Sequence, residues 1–416
     1  MANRYWVGGT ATWDGTAGTK WAATSGGAGG ASVPTSADDV FFDANSGSAT
    51  VTIGSGRTAK SIDCTGFTGT LAGTNAPSVS GSTTFVSGMG FTNTAAWGIA
   101  GSGSSGTFTS AGKTVSAFTV NATGGTLTLA DALNCSGQIS LLAGTLDTNN
   151  QTVTTSTFSS SGAGVKTLTL GSSTVNVTGA NACWVFSNTL PTVNAGTSNI
   201  VLSNNTTTQR SFNGSTSTFY KLTIGGDTST STTTIIGNST FNEIASTKTV
   251  AHTIAINAGN TVTVTNWTVK GTAGNVVTLQ SGTTGSAATL AKAGGGFLTG
   301  IDYLSIRDVI ASPVSDTWYV GANSSYVATA PNRGYGFFTT QRANNAVIVL
   351  TSTTSASWTV PSDWNSSSNS INLIGGGGGG SSGRSDATRR WGGGGGGGGG
   401  YTRLTNQSLA AGASIT

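Results

Sequence analysis

Short runs of alternating apolar and polar residues, separated by Gly, Asn and Ser turns, repeat through most of this chain. Thr126-Leu127-Thr128-Leu129, Gln138-Ile139-Ser140-Leu141-Leu142 and Lys166-Thr167-Leu168-Thr169-Leu170 set the pattern. Thr174-Val175-Asn176-Val177, Asn199-Ile200-Val201-Leu202, Lys221-Leu222-Thr223-Ile224, Thr261-Val262-Thr263-Val264 and Val276-Val277-Thr278-Leu279 continue it. A period of two residues is that of a strand with one buried face, and no heptad or amphipathic helical stretch interrupts the series. Related strands recur at spacings on the order of 20 to 30 residues, the range of a solenoid coil. A sandwich also has short strands at regular intervals. This region is too long for one sandwich, its strands are very short, and its frequent turn asparagines suit amide ladders between stacked coils. The pattern therefore predicts an all-β fold, with a parallel β-helix (β-solenoid) over residues 76–340.

The two ends differ from the middle. Residues 1–75 carry Trp6, Trp13 and Trp21 among glycine-rich turns, and then strands near Val40–Phe42 and Ala49–Ile53. A tryptophan-rich start of this kind is expected to cap a solenoid, whose open end would expose apolar core and unpaired strand edges. Ile301–Asp308, Asp316–Val320 and Gly334–Phe337 read as the final coils. Residues 341–416 form a glycine-rich terminal domain. Within it Ile371-Asn372-Leu373-Ile374 leads into Gly375–Gly380, and a second tract, Gly392–Gly400, follows Arg389-Arg390-Trp391. Polyglycine loses the most entropy on ordering, so neither helix nor ordinary strand is expected there. A flexible linker is one reading; packed, extended polyglycine helices are the other, and flanking Trp391 and Tyr401 favour order.

Composition narrows the choice of function. Charged residues make up 8% of the chain, against roughly 25% in ordinary globular proteins. The net charge of +4 and the 8% aromatic content argue against disorder. The basic residues are scattered, so there is no continuous track for phosphates and no nucleic-acid partner is expected. Cys64, Cys135 and Cys183 form no CxxC pair and read as small core residues. The opening MANRYWVGGTATWDG has no charged segment followed by an apolar one, and no apolar run is long enough to span a membrane. The protein is expected to be made and to fold in a reducing cytoplasm.

Catalytic chemistry finds little support. Glycoside hydrolysis needs two carboxylates across the scissile bond, yet only Asp227 and Glu243 lie between Asp147 and Asp302. Asp38, Asp39 and Asp43 suit turns and caps; Asp302, Asp308 and Asp316 suit surface pairing with Arg307. The single histidine, His252, reads as a surface residue lying opposite its apolar neighbours. There is no nucleophile elbow, P-loop or metal-spaced histidine cluster. The expectation is a non-enzyme with no catalytic residue, cofactor or metal. Binding is better served. Arg384, Arg389 and Arg390, with Arg403 beyond, offer guanidinium forks for phosphate or carboxylate, and Trp391 and Tyr401 offer ring faces for a sugar. These six are the candidate receptor contacts; the alternative is that the charges only keep the segment soluble.

Two stretches are also familiar. RYWVGGTATWDG, KWAATSGG and VPTSADDVFFD resemble the N-terminal segment of phage virion and tail-fibre-like proteins, and similar patterns begin some bacterial β-helical adhesins. SWTVPSDWNSSSNSINLIGGGGGG is similar to the glycine-rich domain at the ends of phage tail fibres. The resemblance covers about the first 70 and last 75 residues. It implies a virion structural protein assembled in the host cytoplasm, most simply a tail fibre or appendage aiding host recognition. Its implied partners are other virion proteins, through the N-terminal region, and a cell-surface glycan or outer-membrane receptor. It also implies a possible homo-oligomer, with a trimer the usual fibre state. A capsid decoration or head-fibre protein is the alternative; a polysaccharide-degrading tailspike and a bacterial surface adhesin rank lower.

Overall fold

The computed structural model describes residues 2–327 except 17, 227, 295–297, 299 and 313–317. Beyond them it describes 358–360, 364, 369–391, 396–410 and 412–415. The chain divides into two compact units, Met1–Arg342 and Ala343–Thr416. Among the described residues the only helical element is a 3-10 turn, Ala44–Ser46, and no helix is long and apolar enough to cross a membrane.

The first unit is a parallel β-solenoid of about 13 turns. Each early coil lays one strand on each of three faces. Asp39–Phe41, Thr50–Ile53 and Thr58–Ala59 make one such coil, and Ser61–Asp63, Thr70–Ala72 and Ser78–Val79 make the next. Each strand pairs in parallel with its counterpart one coil on: Val40 with Ile62, Val51 with Leu71, Ala59 with Val79. Stacking on the first face runs from Ser61–Asp63 to Thr83–Thr84 and on to Gly106–Thr109. It therefore crosses residue 75 without a break.

The alternation in the sequence becomes an inside and an outside. Val153, Val175, Ile200, Leu222, Ile244 and Trp267 pair in succession across six coils of the second face, all buried. Outward positions form matching polar rows: Thr126, Thr145, Thr167 and Thr192 stand in register on the first face. β-branched side chains stacked on a pleated surface are a favoured cross-strand arrangement. Asn194 Nδ2 donates to Thr169 Oγ1 of the preceding coil at 3.2 Å, one rung of such a row.

The start of the solenoid is closed by its own chain. Trp21–Ala22 lies antiparallel along Asn3–Trp6, on the side away from Asp39–Phe41. Trp6, Trp13, Trp21 and Phe42 meet there at ring separations of 5.1 to 6.1 Å, all essentially inaccessible. Asp38 and Asp43 work in turns: Asp38 accepts from the Thr35 amide and hydroxyl, and Asp43 caps the 3-10 turn.

The cross-section changes near residue 194. Thr192–Asn194 is the last described strand on the first face, and later coils alternate between the other two faces. Aromatic side chains fill the interior at this change. Phe158, Trp184 and Phe212 stack with centroids 4.5 and 5.5 Å apart, and Phe219 stacks on Phe241 at 5.6 Å. Cys64, Cys135 and Cys183 are free thiols inside the core. Burial pushes all three up, Cys183 to about 11.

Candidate functional site

The second unit contains a long hairpin that a sequence pattern does not reveal. Ser370–Ile374 pairs antiparallel with Tyr401–Thr405, and Arg384–Ser385 pairs antiparallel with Arg390–Trp391. Between them the Gly375 amide donates to Gly400 at 2.7 Å and the Gly378 amide to Gly397 at 2.9 Å. Asp386 N donates to Arg389 O at the tip, and Asn406 N to Asn369 O at the base. In every one of these pairs the two residue numbers add to the same value. Among the described residues, Gly375–Gly379 and Gly396–Gly400 are therefore arms of one ribbon, in the same register as the pairs at its tip and at its base.

The glycine tracts differ from the β-ribbons on either side. Their hydrogen bonds step by three residues rather than two, the repeat of a polyproline-II-type helix. They also approach more closely than side chains allow. A Cβ on Gly396 would run into the carbonyl of Gly378, and one on Gly399 into the carbonyl of Gly375. At about 3.1 to 3.4 Å per residue, an arm from Ser370 to Asp386 reaches roughly 50 Å.

This register sorts the six candidate receptor residues into two places. Arg384, Arg389, Arg390 and Trp391 gather at the tip, with Arg384 opposite Trp391 and Arg390 opposite Ser385. Tyr401 and Arg403 lie at the base, opposite Ile374 and Asn372 and separated from the tip by a glycine tract. Tyr401 is 62% exposed and its hydroxyl donates to Asn372 Oδ1 at 2.8 Å. The three tip arginines are exposed. Asp386 accepts from the amides of Thr388 and Arg389, and these bonds hold its carboxyl below the usual carboxylate range. Its charge thus serves the turn.

The solenoid holds a second concentration of charge, inside rather than outside. Arg210 is fully buried at the corner between the second and third faces. Its Nη1 donates to the carbonyls of Leu202 at 2.7 Å, Gly225 at 3.1 Å and Asn204 at 3.2 Å, and Nη2 donates to Thr233 Oγ1 at 3.1 Å. All four acceptors are neutral. In later coils of the same corner, Lys248 donates to Ser229 O, and His252 bridges Val250 O at 2.8 Å and Ser246 Oγ at 2.9 Å. Arg210 and Lys248 thereby tie the loops of successive coils together, and His252 braces its own loop. Among the described residues no group of three His, Cys, Asp or Glu side chains could hold a metal ion.

His252 corrects the sequence reading. It is 3% exposed, because His252–Ile256 starts at this residue and Ile254 and Ile256 set its inward phase. Val250 and Ala251 belong to the corner before the strand and set no phase. Burial holds the imidazole below its ordinary value, with Lys248 and Arg210 acting in the same direction. The unfolded chain then binds the proton more readily than the folded one, so stability falls as pH drops below about 6.5. The urea midpoint is expected to decrease between about pH 7 and pH 5.5, and replacing His252 by Gln should flatten that slope. An equal slope in both proteins would remove His252 as the cause. The second acidic group also has specific partners: Asp302 accepts from Asn323 N and Nδ2, Asp308 accepts from Gly285 N, and Arg307 donates to Gln280 Oε1 at 2.6 Å. Asp316 lies outside the described residues.

Comparison with protein-family models, with curated proteins and with solved structures gives no match to this chain.

Proposed function

We propose that this chain is a non-enzymatic structural protein of a phage particle, a tail fibre or similar appendage, whose hairpin contacts an anionic host-surface glycan. The observation that carries this reading is the hairpin itself. Its register gathers Arg384, Arg389 and Arg390 at one exposed tip, on arms whose backbones alone pair over much of their length. Guanidinium forks presented this way suit phosphate or carboxylate groups on a repeating polymer. The solenoid supports the structural half of the reading, because stacked coils build an extended body from nearest-neighbour contacts. The resemblance of RYWVGGTATWDG and of the Ile371–Gly380 region to virion proteins supports the phage assignment.

The test is binding of labelled full-length protein to a panel of bacterial strains, beside a version truncated after Arg342 and a variant with all three tip arginines changed to Ser. Strain-selective binding should disappear on truncation and weaken at least ten-fold in the triple variant, with strong dependence on salt. Binding that survives truncation would overturn the role of the hairpin. Absence of binding to any strain would favour a capsid-decorating role over host recognition.

A further inference from the structure

The hairpin carries an apolar surface that stands open. Among the described residues eight large apolar side chains are exposed, and four of them, Leu373, Ile374, Tyr401 and Leu404, lie on the short ribbon at the hairpin base. Successive side chains of a strand point to opposite faces, so the register places Ile371, Leu373, Thr402 and Leu404 together on one side. Leu373 is 55% and Leu404 40% exposed there. Such alternation suits a ribbon packed against something, and a two-stranded hairpin alone is marginally stable in water.

The glycine arms select the partner. Gly375 and Gly378 donate across the ribbon, whereas the amides of Gly376 and Gly377 pair with no described residue. A polyproline-II-type helix has three residues per turn and no internal bonds, so these amides face away from the sister arm. A second backbone can approach them as closely as the sister arm does only if it also lacks side chains. Within the ribbon, a Cβ on Gly396 or Gly399 would already overlap a carbonyl of the other arm. The outer side is open, since a Cβ on Gly376, Gly397, Gly398 or Gly400 would meet nothing within 4 Å. The partner that fits is another polyglycine ribbon, and every copy of this chain supplies one.

Area fixes the alignment. At about 3.4 Å per residue and about 4.8 Å per strand, the five pairs of the base cover only about 160 Å² per copy. The whole ribbon, roughly 50 Å long, covers about 500 Å², the smallest area per partner that a specific interface ordinarily buries. Only side-by-side ribbons, bases together and tips together, bring both the apolar faces and the glycine arms into contact. We infer that the hairpin is a self-association surface, on which the hairpin of a second copy lies in this way along its full length. Such alignment brings Arg384, Arg389 and Arg390 of one copy beside the same arginines of the next. It uses the base and the arms, so it stands whether or not the tip contacts a host.

Sedimentation equilibrium of the full chain tests this. The mass should rise with concentration to at least twice that of one chain, with a dissociation constant on the order of micromolar. Association should tighten as salt is added, because ions screen the tip arginines from one another. That sign is opposite to the one expected for binding an anionic glycan. Leu373→Ser combined with Leu404→Ser should weaken association at least ten-fold. Gly376→Gln combined with Gly398→Gln should do the same, because both side chains enter open space and leave the pairing within one hairpin intact. A single-chain mass at every concentration would overturn the inference. Association that either pair of substitutions leaves unchanged would also overturn it, since neither base nor arms alone reach the required area. Association that weakens with salt would exclude the tip-to-tip alignment and overturn it as well.

Discussion

Replacing Arg210 by Met should lower the stability of the solenoid by about 3–5 kcal/mol, more than the loss of a single ordinary hydrogen bond. The side chain is fully buried, and burial depresses its pKa, so keeping the charge there has a cost. A well-packed apolar replacement would recover that cost. It would also remove the donor that Asn204 O, Gly225 O and Thr233 Oγ1 share. Leu202 O keeps the amide of Gly225 at 2.9 Å, so it suffers least. Each orphaned buried acceptor costs on the order of 1–3 kcal/mol. Gly225 O and Thr233 Oγ1, both buried, with half-buried Asn204 O beside them, outweigh what is regained by removing the charge. Arg210→Lys should fall between the two, because one ammonium cannot reach both the Leu202–Gly225 carbonyls and Thr233. Urea unfolding read by circular dichroism decides the matter. Equal midpoints for Arg210→Met and the parent would show that the guanidinium serves no structural purpose.

The outcome for Arg210 bears on what a sequence can reveal. The solenoid was legible because its strands are short, alternate strictly and recur roughly every 22 residues, as from Ile200 to Leu222 to Ile244. Arg210 was not read as a core residue, although it stands two places before inward-facing Phe212 and so shares its phase. That signal was available. The misreading of His252 has the same root: at coil corners, alternation is counted correctly only once the strand's first residue is known. The hairpin is a different case. Glycines carry no pattern of side chains, so neither the pairing of the two tracts nor the separation of Tyr401 and Arg403 from the tip arginines is written in residue types. Only the equal distance of the tracts' outer ends, Gly375 and Gly400, from the Asp386–Arg389 turn hints at it.

Trp184→Ala should cost about 3–5 kcal/mol, and Trp184→Phe far less, within roughly 1 kcal/mol of the parent. Trp184 is fully buried between Phe158 and Phe212, nearly parallel to both, with interplanar angles of 17° and 16°. Truncation to Ala would open a cavity between two rings held by strands on either side. Those strands are fixed by ladder pairing, Phe158 to Trp184 and Trp184 to Phe212, so the walls cannot collapse far. Phenylalanine keeps the stack and also removes a liability, since the indole Nε1 is buried without a hydrogen-bond partner. That donor contributes nothing to offset its desolvation, so its loss compensates part of the lost ring area. Because each coil touches only its neighbours, the damage in Trp184→Ala should be local as well as large. Amide exchange should quicken first in Val153–Ser160, Asn181–Phe186 and Arg210–Asn213, while the tryptophan cluster around Trp6 keeps its protection. Uniform loss of protection along the solenoid would mean that the coils unfold as one cooperative block. Equal destabilisation by Phe and Ala would mean that the indole ring itself, rather than an aromatic stack of the right thickness, holds the change in cross-section together.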